Sequence, residues 1–173
     1  SVLVAGGIPV RVALNEDYTP NFNRIEEAIT LKTKMIVVNN PHNPTGRIWA
    51  KEDFEALETI LEKHPQILVL GDEVYEYITF SQPHISFNTR EKLTHRTIIA
   101  SSFGKSLHVT GWKIGYLIAP EHLMLEIKKI HQFLVFSVNS FSQHAIAHYL
   151  NVVDFSEVSR MYQKKRDLFQ SLL

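Results

Sequence analysis

The sequence predicts an α/β fold, a mostly parallel sheet flanked by helices, and three observations carry that expectation. Short apolar runs at Lys34 to Asn39, Ile67 to Leu70 and Thr97 to Ala100 have the length and composition of buried strands. Between the first two, Phe54, Leu57, Ile60 and Leu61 recur at helical spacing from Lys51 to Lys63, giving a strand, helix, strand unit whose crossover makes the strands parallel neighbours. The runs end at Asn39, Gly71 and Ser101. Ligands of open parallel sheets bind outside the carboxyl ends of the strands, so segments 40–46, 72–77 and 102–106 are expected to face one crevice.

The remaining elements follow in order. Gly6-Gly7 closes whatever precedes it, and Pro9 to Leu14 alternates as a strand would. Asn21 or Asn23 is placed to cap a helix running through Leu31. The loop 39–46, rich in Asn, Pro and Gly, ends the first strand, and Pro83 marks a looser stretch before the third. Tyr116 to Ala119 reads as a further strand, and helices are expected over 120–136, 139–153 and from 155 onward. The chain starts without Met and ends inside the helical pattern of Val158 to Leu173 with no Gly, Asn or Pro stop, which reads as a fragment of a longer protein.

Composition narrows the function classes. A chain of 173 residues fits one domain and can bury a core. Its 18 basic residues balance its 18 acidic ones, and no basic stripe interleaves with aromatics, so neither nucleic acid nor a membrane is the expected partner. The expected partner is a small molecule. The absence of cysteine removes disulfides, a thiolate nucleophile and Cys-based metal sites and suits a reducing, cytoplasmic setting. No apolar run approaches the roughly 20 residues of a membrane span, and no signal segment opens the chain.

Chemistry concentrates in three motifs. Lys105 lies in Ser101-Ser102-Phe103-Gly104-Lys105 and runs on through Ser106 to Tyr116. Alone it would be a surface loop lysine; with the two motifs upstream it becomes a Schiff-base candidate, because a nucleophilic lysine needs a site that holds it beside an aldehyde. In Asn39-Asn40-Pro41-His42-Asn43-Pro44-Thr45-Gly46 two prolines restrict the backbone and give the Asn43 amide a defined direction. Such an amide can donate to a phenolate oxygen and to a substrate carboxylate. In Gly71-Asp72-Glu73-Val74-Tyr75-Glu76-Tyr77, Asp72 taken by itself is a helix cap. Its alternative role is to pair with a cofactor ring nitrogen and keep it protonated, with Tyr75 bonding the same ring's phenolic oxygen.

Together NNPHNPTG at 39–46, GDEVYEY at 71–77 and SSFGKSLHVTGWKIGY at 101–116 resemble the class I/II aminotransferases among the fold-type-I pyridoxal phosphate (PLP) enzymes. The resemblance spans the whole chain and is narrower to the methionine, glutamine and kynurenine transaminase branch. It implies that Lys105 forms the internal aldimine with PLP, Asp72 pairs with the pyridinium nitrogen, Asn43 and Tyr75 bind the phenolic oxygen, and Ser102 and Lys113 contact the phosphate. It implies catalytic roles for Lys105, Asp72 and Tyr75, a substrate contact for Asn43, and ping-pong transfer of an amino group from an L-amino acid to a 2-oxo acid. Lys113 stands where arginine is commoner, supplying a point charge in place of a planar fork; the methionine and kynurenine branch tolerates it. Residues 1–173 would then be the central part of the large PLP-binding domain of a homodimer. The Gly-containing phosphate loop and stacking aromatic would lie before Ser1, and the carboxylate-binding arginine after Leu173. The chain alone is therefore expected to be inactive. Two rivals stay open: a PLP-dependent carbon-sulfur lyase of the same fold, which the residues after Asp72-Glu73 disfavour, and a non-catalytic aminotransferase-like regulatory domain.

Other features carry less. His144 and His148 stand four apart on an expected helix, a zinc-compatible spacing without the glutamate or third ligand that a zinc site needs, so no metal is expected. Lys164-Lys165-Arg166 reads as a solvated face, and Phe133, Phe136 and Phe141 as core or substrate-pocket residues.

Overall fold

Alternating exposure, clearest along the second strand of the sheet, gives the sheet two unlike faces and fixes what each presents. The computed structural model describes residues 1–173. Strands β1 (Met35–Asn39), β2 (Leu68–Asp72), β3 (Thr97–Ser102) and β4 (Gly115–Ile118) form one sheet in that order. The first three are parallel, with Asn39 opposite Asp72 and Asp72 opposite Ala100, while β4 returns antiparallel to β3 with Ser102 opposite Gly115. The strand, helix, strand unit is present as expected.

One face is closed by α2 (Lys51–Glu62), whose Phe54, Leu57 and Leu61 meet Ile67, Val69 and Ile99 in a core completed by Trp49, Phe87 and Leu93. Phe54 and Phe87 are fully buried with ring centroids 4.8 Å apart, and Trp49 packs edge-on to both, contacts that add to burial through ring geometry. The Asp53 carboxylate accepts from the Ala50 backbone N–H at 2.8 Å, one half of a capping box that starts α2. Partly buried Arg90 donates to Glu58 of α2 at 2.6 Å and ties the stretch before β3 to that helix. The opposite face is open: Val37 is 59% and Leu117 42% exposed, although parallel strands are ordinarily covered on both sides.

Shorter helices α1 (Phe22–Ala28), α3 (Glu91–Thr94) and α4 (Phe103–Ser106) flank the sheet, and α5 (Glu121–Leu134), α6 (Ser140–Tyr149) and α7 (Phe155–Ser171) complete the chain. Asn21 caps α1 by accepting from Arg24 N–H at 3.0 Å. The helix stops at Ala28 and not Leu31, because Ile29 is already extended. Pro9 to Leu14 forms no strand: it runs irregularly with Val10 68% exposed, since alternation yields a strand only where a sheet edge supplies partners. α7 docks on the chain after β2 through Ser159, whose hydroxyl donates to the Thr79 carbonyl at 2.6 Å, and through Phe155 stacked 3.9 Å from Tyr77. Phe133, Phe136 and Phe141 are 86%, 84% and 88% exposed and belong to no core here. No helix is long and apolar enough to cross a membrane.

Candidate functional site

The register of the parallel strands brings the motifs together. Asn39 and Asp72 end β1 and β2 side by side, so the chain leaving each strand enters the same space at the carboxyl edge. The Asp72 carbonyl accepts from the Asn40 N–H at 3.0 Å and the Asn39 side-chain amide at 3.1 Å. Asn39 Oδ1 in turn accepts from the Asn43 N–H at 2.8 Å. Buried Asn40 accepts from the Trp49 N–H at 2.9 Å, anchoring the loop 40–46 to the core. Its bonds Asn40-Pro41 and Asn43-Pro44 are both cis. Asn43 Nδ2 donates to the Tyr75 hydroxyl at 3.1 Å.

Asp72 lies half-buried at the end of β2 with its side chain on the open face, because its neighbours Gly71 and Glu73 face the core. No helix follows for it to cap; the nearest backbone donor is Val74 N–H at 3.4 Å. The carboxylate is thus largely uncommitted. Lys105 is half-buried in α4 with its Nζ 5.9 Å from the centre of the Tyr75 ring. Asn43, Asp72, Tyr75 and Lys105, expected to share one crevice, do lie at one end of the sheet.

Ser102 and the segment that carries Lys113 meet at a neighbouring corner. The Ser102 hydroxyl accepts from the Gly104 N–H at 3.1 Å and donates to the Ile114 carbonyl at 3.2 Å. Its single proton is thereby engaged, so binding an anion as a donor requires the hydroxyl to rotate away from Ile114. Lys113 is exposed and holds a left-handed φ of 56°, a conformation unusual for a residue with a Cβ. Gly115 permits the close pairing here: a Cβ would come 2.5 Å from the Ser101 carbonyl oxygen. Thr110 closes the corner by donating to the Gly104 carbonyl at 2.8 Å.

Two glutamates of the GDEVYEY segment point the other way, a feature not drawn from the sequence. Glu73, 1% exposed, receives the Phe87 N–H at 2.8 Å and holds the His84 ring nitrogen at 2.9 Å. Glu76 accepts from the Tyr116 hydroxyl at 2.6 Å and the Ser101 hydroxyl at 3.0 Å. Burial, then the bond to Glu76, raise the Tyr116 phenol far above its ordinary range, so it remains a donor. Alternation along β2 could have signalled the direction of Glu73 but not of Glu76, which lies in the turn beyond the strand; their partners could not be read from spacing. His144 and His148 are exposed on α6, and no group of His, Asp and Glu is gathered to hold a metal ion.

Comparison with known proteins agrees with this geometry. The family model for aminotransferase class I and II matches residues 2–173. A methionine aminotransferase of Escherichia coli is 38% identical over all of this chain and 46% of its own length, and a kynurenine–oxoglutarate transaminase of Dictyostelium discoideum is 38% identical over 96% of the chain and 43% of its own. The chain thus spans less than half of these relatives. Among solved structures, an Escherichia coli protein identified as a methionine aminotransferase superposes with a TM-score of 0.91 at 39% identity, covering 95% of this chain and 44% of that one. An aspartate aminotransferase double mutant of Thermus thermophilus gives 0.89 at 29%, covering 98% and 46%. With the motif residues gathered at one sheet edge and the match extending over nearly every residue, the chain belongs to the class I and II aminotransferase family.

Proposed function

We propose that residues 1–173 are the central part of the large domain of a homodimeric, cytoplasmic, PLP-dependent aminotransferase. It moves an amino group from an L-amino acid, methionine-like or aromatic, to a 2-oxo acid in a ping-pong sequence. One observation carries this reading: Asn43 and Tyr75 are joined at 3.1 Å beside the Lys105 amine and the uncommitted Asp72 carboxylate. The donor set suits the cofactor, with a carboxylate for a protonated ring nitrogen, an amide and a phenol for an oxygen anion, and a lysine for an aldehyde.

When bound, PLP supplies the electron sink for the carbanion formed at the substrate α carbon. The Asp72 carboxylate would accept a charge-assisted hydrogen bond from the protonated ring nitrogen and so keep that nitrogen cationic. Asn43 Nδ2 and the Tyr75 hydroxyl donate to the phenolic oxygen, Ser102 and Lys113 hold the phosphate, and the Asn43 amide also orients the substrate carboxylate. Lys105 first holds the cofactor. With its Nζ free, Lys105 would also take the proton from the substrate α carbon and return it, so one base would serve both transfers. The donor class rests on the branch: the two relatives at 38% identity are a methionine aminotransferase and a kynurenine–oxoglutarate transaminase.

Half-reactions test the reading. The full-length enzyme, loaded with PLP and given single amino acids without an acceptor, is expected to release one equivalent of 2-oxo acid per site from methionine or an aromatic donor and then stop until a 2-oxo acid is added. Continued release of 2-oxo acid with ammonia and a thiol would make it a lyase. No reaction with any donor would leave a non-catalytic relative.

A further inference from the structure

Glu76 sits in the segment that carries Asp72 and Tyr75, yet it faces away from both. Its Oε1 is shared by the Tyr116 hydroxyl at 2.6 Å and the Ser101 hydroxyl at 3.0 Å. Ser101 and Tyr116 are themselves register partners on β3 and β4. One carboxylate oxygen therefore joins three segments: the turn holding Tyr75, the strand end leading to Ser102 and Lys105, and the strand that follows Lys113. The turn has few other ties to β3. Glu73 N–H donates to the Ala100 carbonyl at 2.8 Å, while the Glu76 and Ile78 N–H groups bond only within the turn, to Glu73 and Tyr75. Raised by burial and by Glu76, the Tyr116 phenol keeps its proton and remains a donor.

We infer that Glu76 is a positioning residue that acts from behind the sheet, through Ser101 and Tyr116, to fix the Tyr75 hydroxyl relative to Lys105. The inference rests on the PLP reading above. Its consequence is electronic as well as geometric. A Tyr75 hydroxyl held on the phenolic oxygen draws charge from it and makes it a weaker partner for the proton on the Lys105 nitrogen, so loosening Tyr75 raises that nitrogen's proton affinity.

The test is a pH titration of the visible absorbance of the full-length, PLP-loaded enzyme and its variants. Tyr75→Phe is expected to move the midpoint upward by about one pH unit, a tenfold change in proton binding. Glu76→Ala should move it in the same direction, the Tyr75→Phe/Glu76→Ala pair no farther than Tyr75→Phe alone, and Glu76→Gln, whose amide oxygen can still accept both hydroxyls, back to the parent value. A Glu76→Ala enzyme titrating like the parent, additive shifts in the double variant, or a Glu76→Gln shift as large as that of Glu76→Ala overturns the inference and leaves the PLP reading intact. Absence of a PLP absorbance overturns the PLP reading and this inference with it, whereas a Tyr75→Phe enzyme titrating like the parent removes the Tyr75 contact and overturns this inference alone. Should Glu76→Ala fail to fold, Tyr116→Phe, which removes one donor, carries the test: a partial upward shift supports the role and an unchanged midpoint ends it.

Discussion

Asn43 and Tyr75, 32 residues apart, share a hydrogen bond of 3.1 Å because the strands that precede them are in parallel register. Asn39 and Asp72 are opposite each other, and the chain has travelled a similar distance beyond each when it reaches the amide and the phenol. The pairing thus needs both strands and both turns. Neither motif could create it alone, and the core under α2 sets the accuracy with which they meet.

Replacing Lys105 by Ala in the full-length enzyme is expected to abolish turnover while PLP still binds non-covalently, since the covalent tether and the proton carrier are lost together. Borohydride reduction followed by peptide mapping checks this. Cofactor fixed covalently to the Ala variant would assign the Schiff base to another lysine.

Asp72→Asn is expected to lower kcat by roughly two to three powers of ten or more, the scale of a preorganised charge in a site of this kind, with little change in folding. The amide retains a hydrogen bond but cannot stabilise a cationic ring nitrogen. Because Asp72 caps no helix and its closest backbone donor is 3.4 Å away, stability in urea should stay near the parent's. A variant with near-normal kcat and weakened folding would give Asp72 a purely structural turn role.

Gly115→Ala is expected to destabilise the fold by about 1–3 kcal/mol, as overpacking commonly does. The added methyl would stand 2.5 Å from the Ser101 carbonyl oxygen, backbone that cannot swing aside. Urea denaturation measures it. Unchanged stability would mean that β4 can slide away from β3 at no cost.

The 173-residue chain purified alone is expected to produce no 2-oxo acid above a free-PLP control. Asn43 and Lys113 are exposed, and Val37 and Leu117 leave the sheet face beside the site open to solvent, so water competes for the lysine link and the substrate is not oriented. Steady turnover by this chain would show that enclosure is unnecessary.

How legible this was from sequence differs by element, for physical reasons. β1, β2, β3 and α2 could be read because their burial is set by local pattern: Val69 and Ile99 lie in apolar runs, and Phe54, Leu57 and Leu61 keep helical spacing. Pro9 to Leu14 misled because its alternation shows the capacity to pair and says nothing of a partner. The direction of β4 depended on the return through the four-residue α4 and the turn at Thr110 to Trp112, which holds no helix long enough to carry the chain back along the sheet. At the site, Lys105, Asp72, Asn43 and Tyr75 were recognisable by motif. The contacts of Glu76 with Tyr116 and Ser101 were not, because they arise only when β3 and β4 are assembled, nor was the Glu73–His84 pair, which depends on how the chain after β2 folds back.

The alternation of β2 makes the strand a reading frame. Asp72 and Glu73 are adjacent and nearly the same chemically, yet one is offered to the open side and the other is sealed against His84 and Phe87. Inserting or deleting one residue within Leu68 to Gly71 would invert that assignment, sending Asp72 into the apolar core and Glu73 outward on a longer stem. The protein would still display a carboxylate at the same edge, but the sealed side would hold one too short for His84. A change of length by one within the strand therefore moves every later side chain to the opposite face, whereas a substitution leaves that assignment in place.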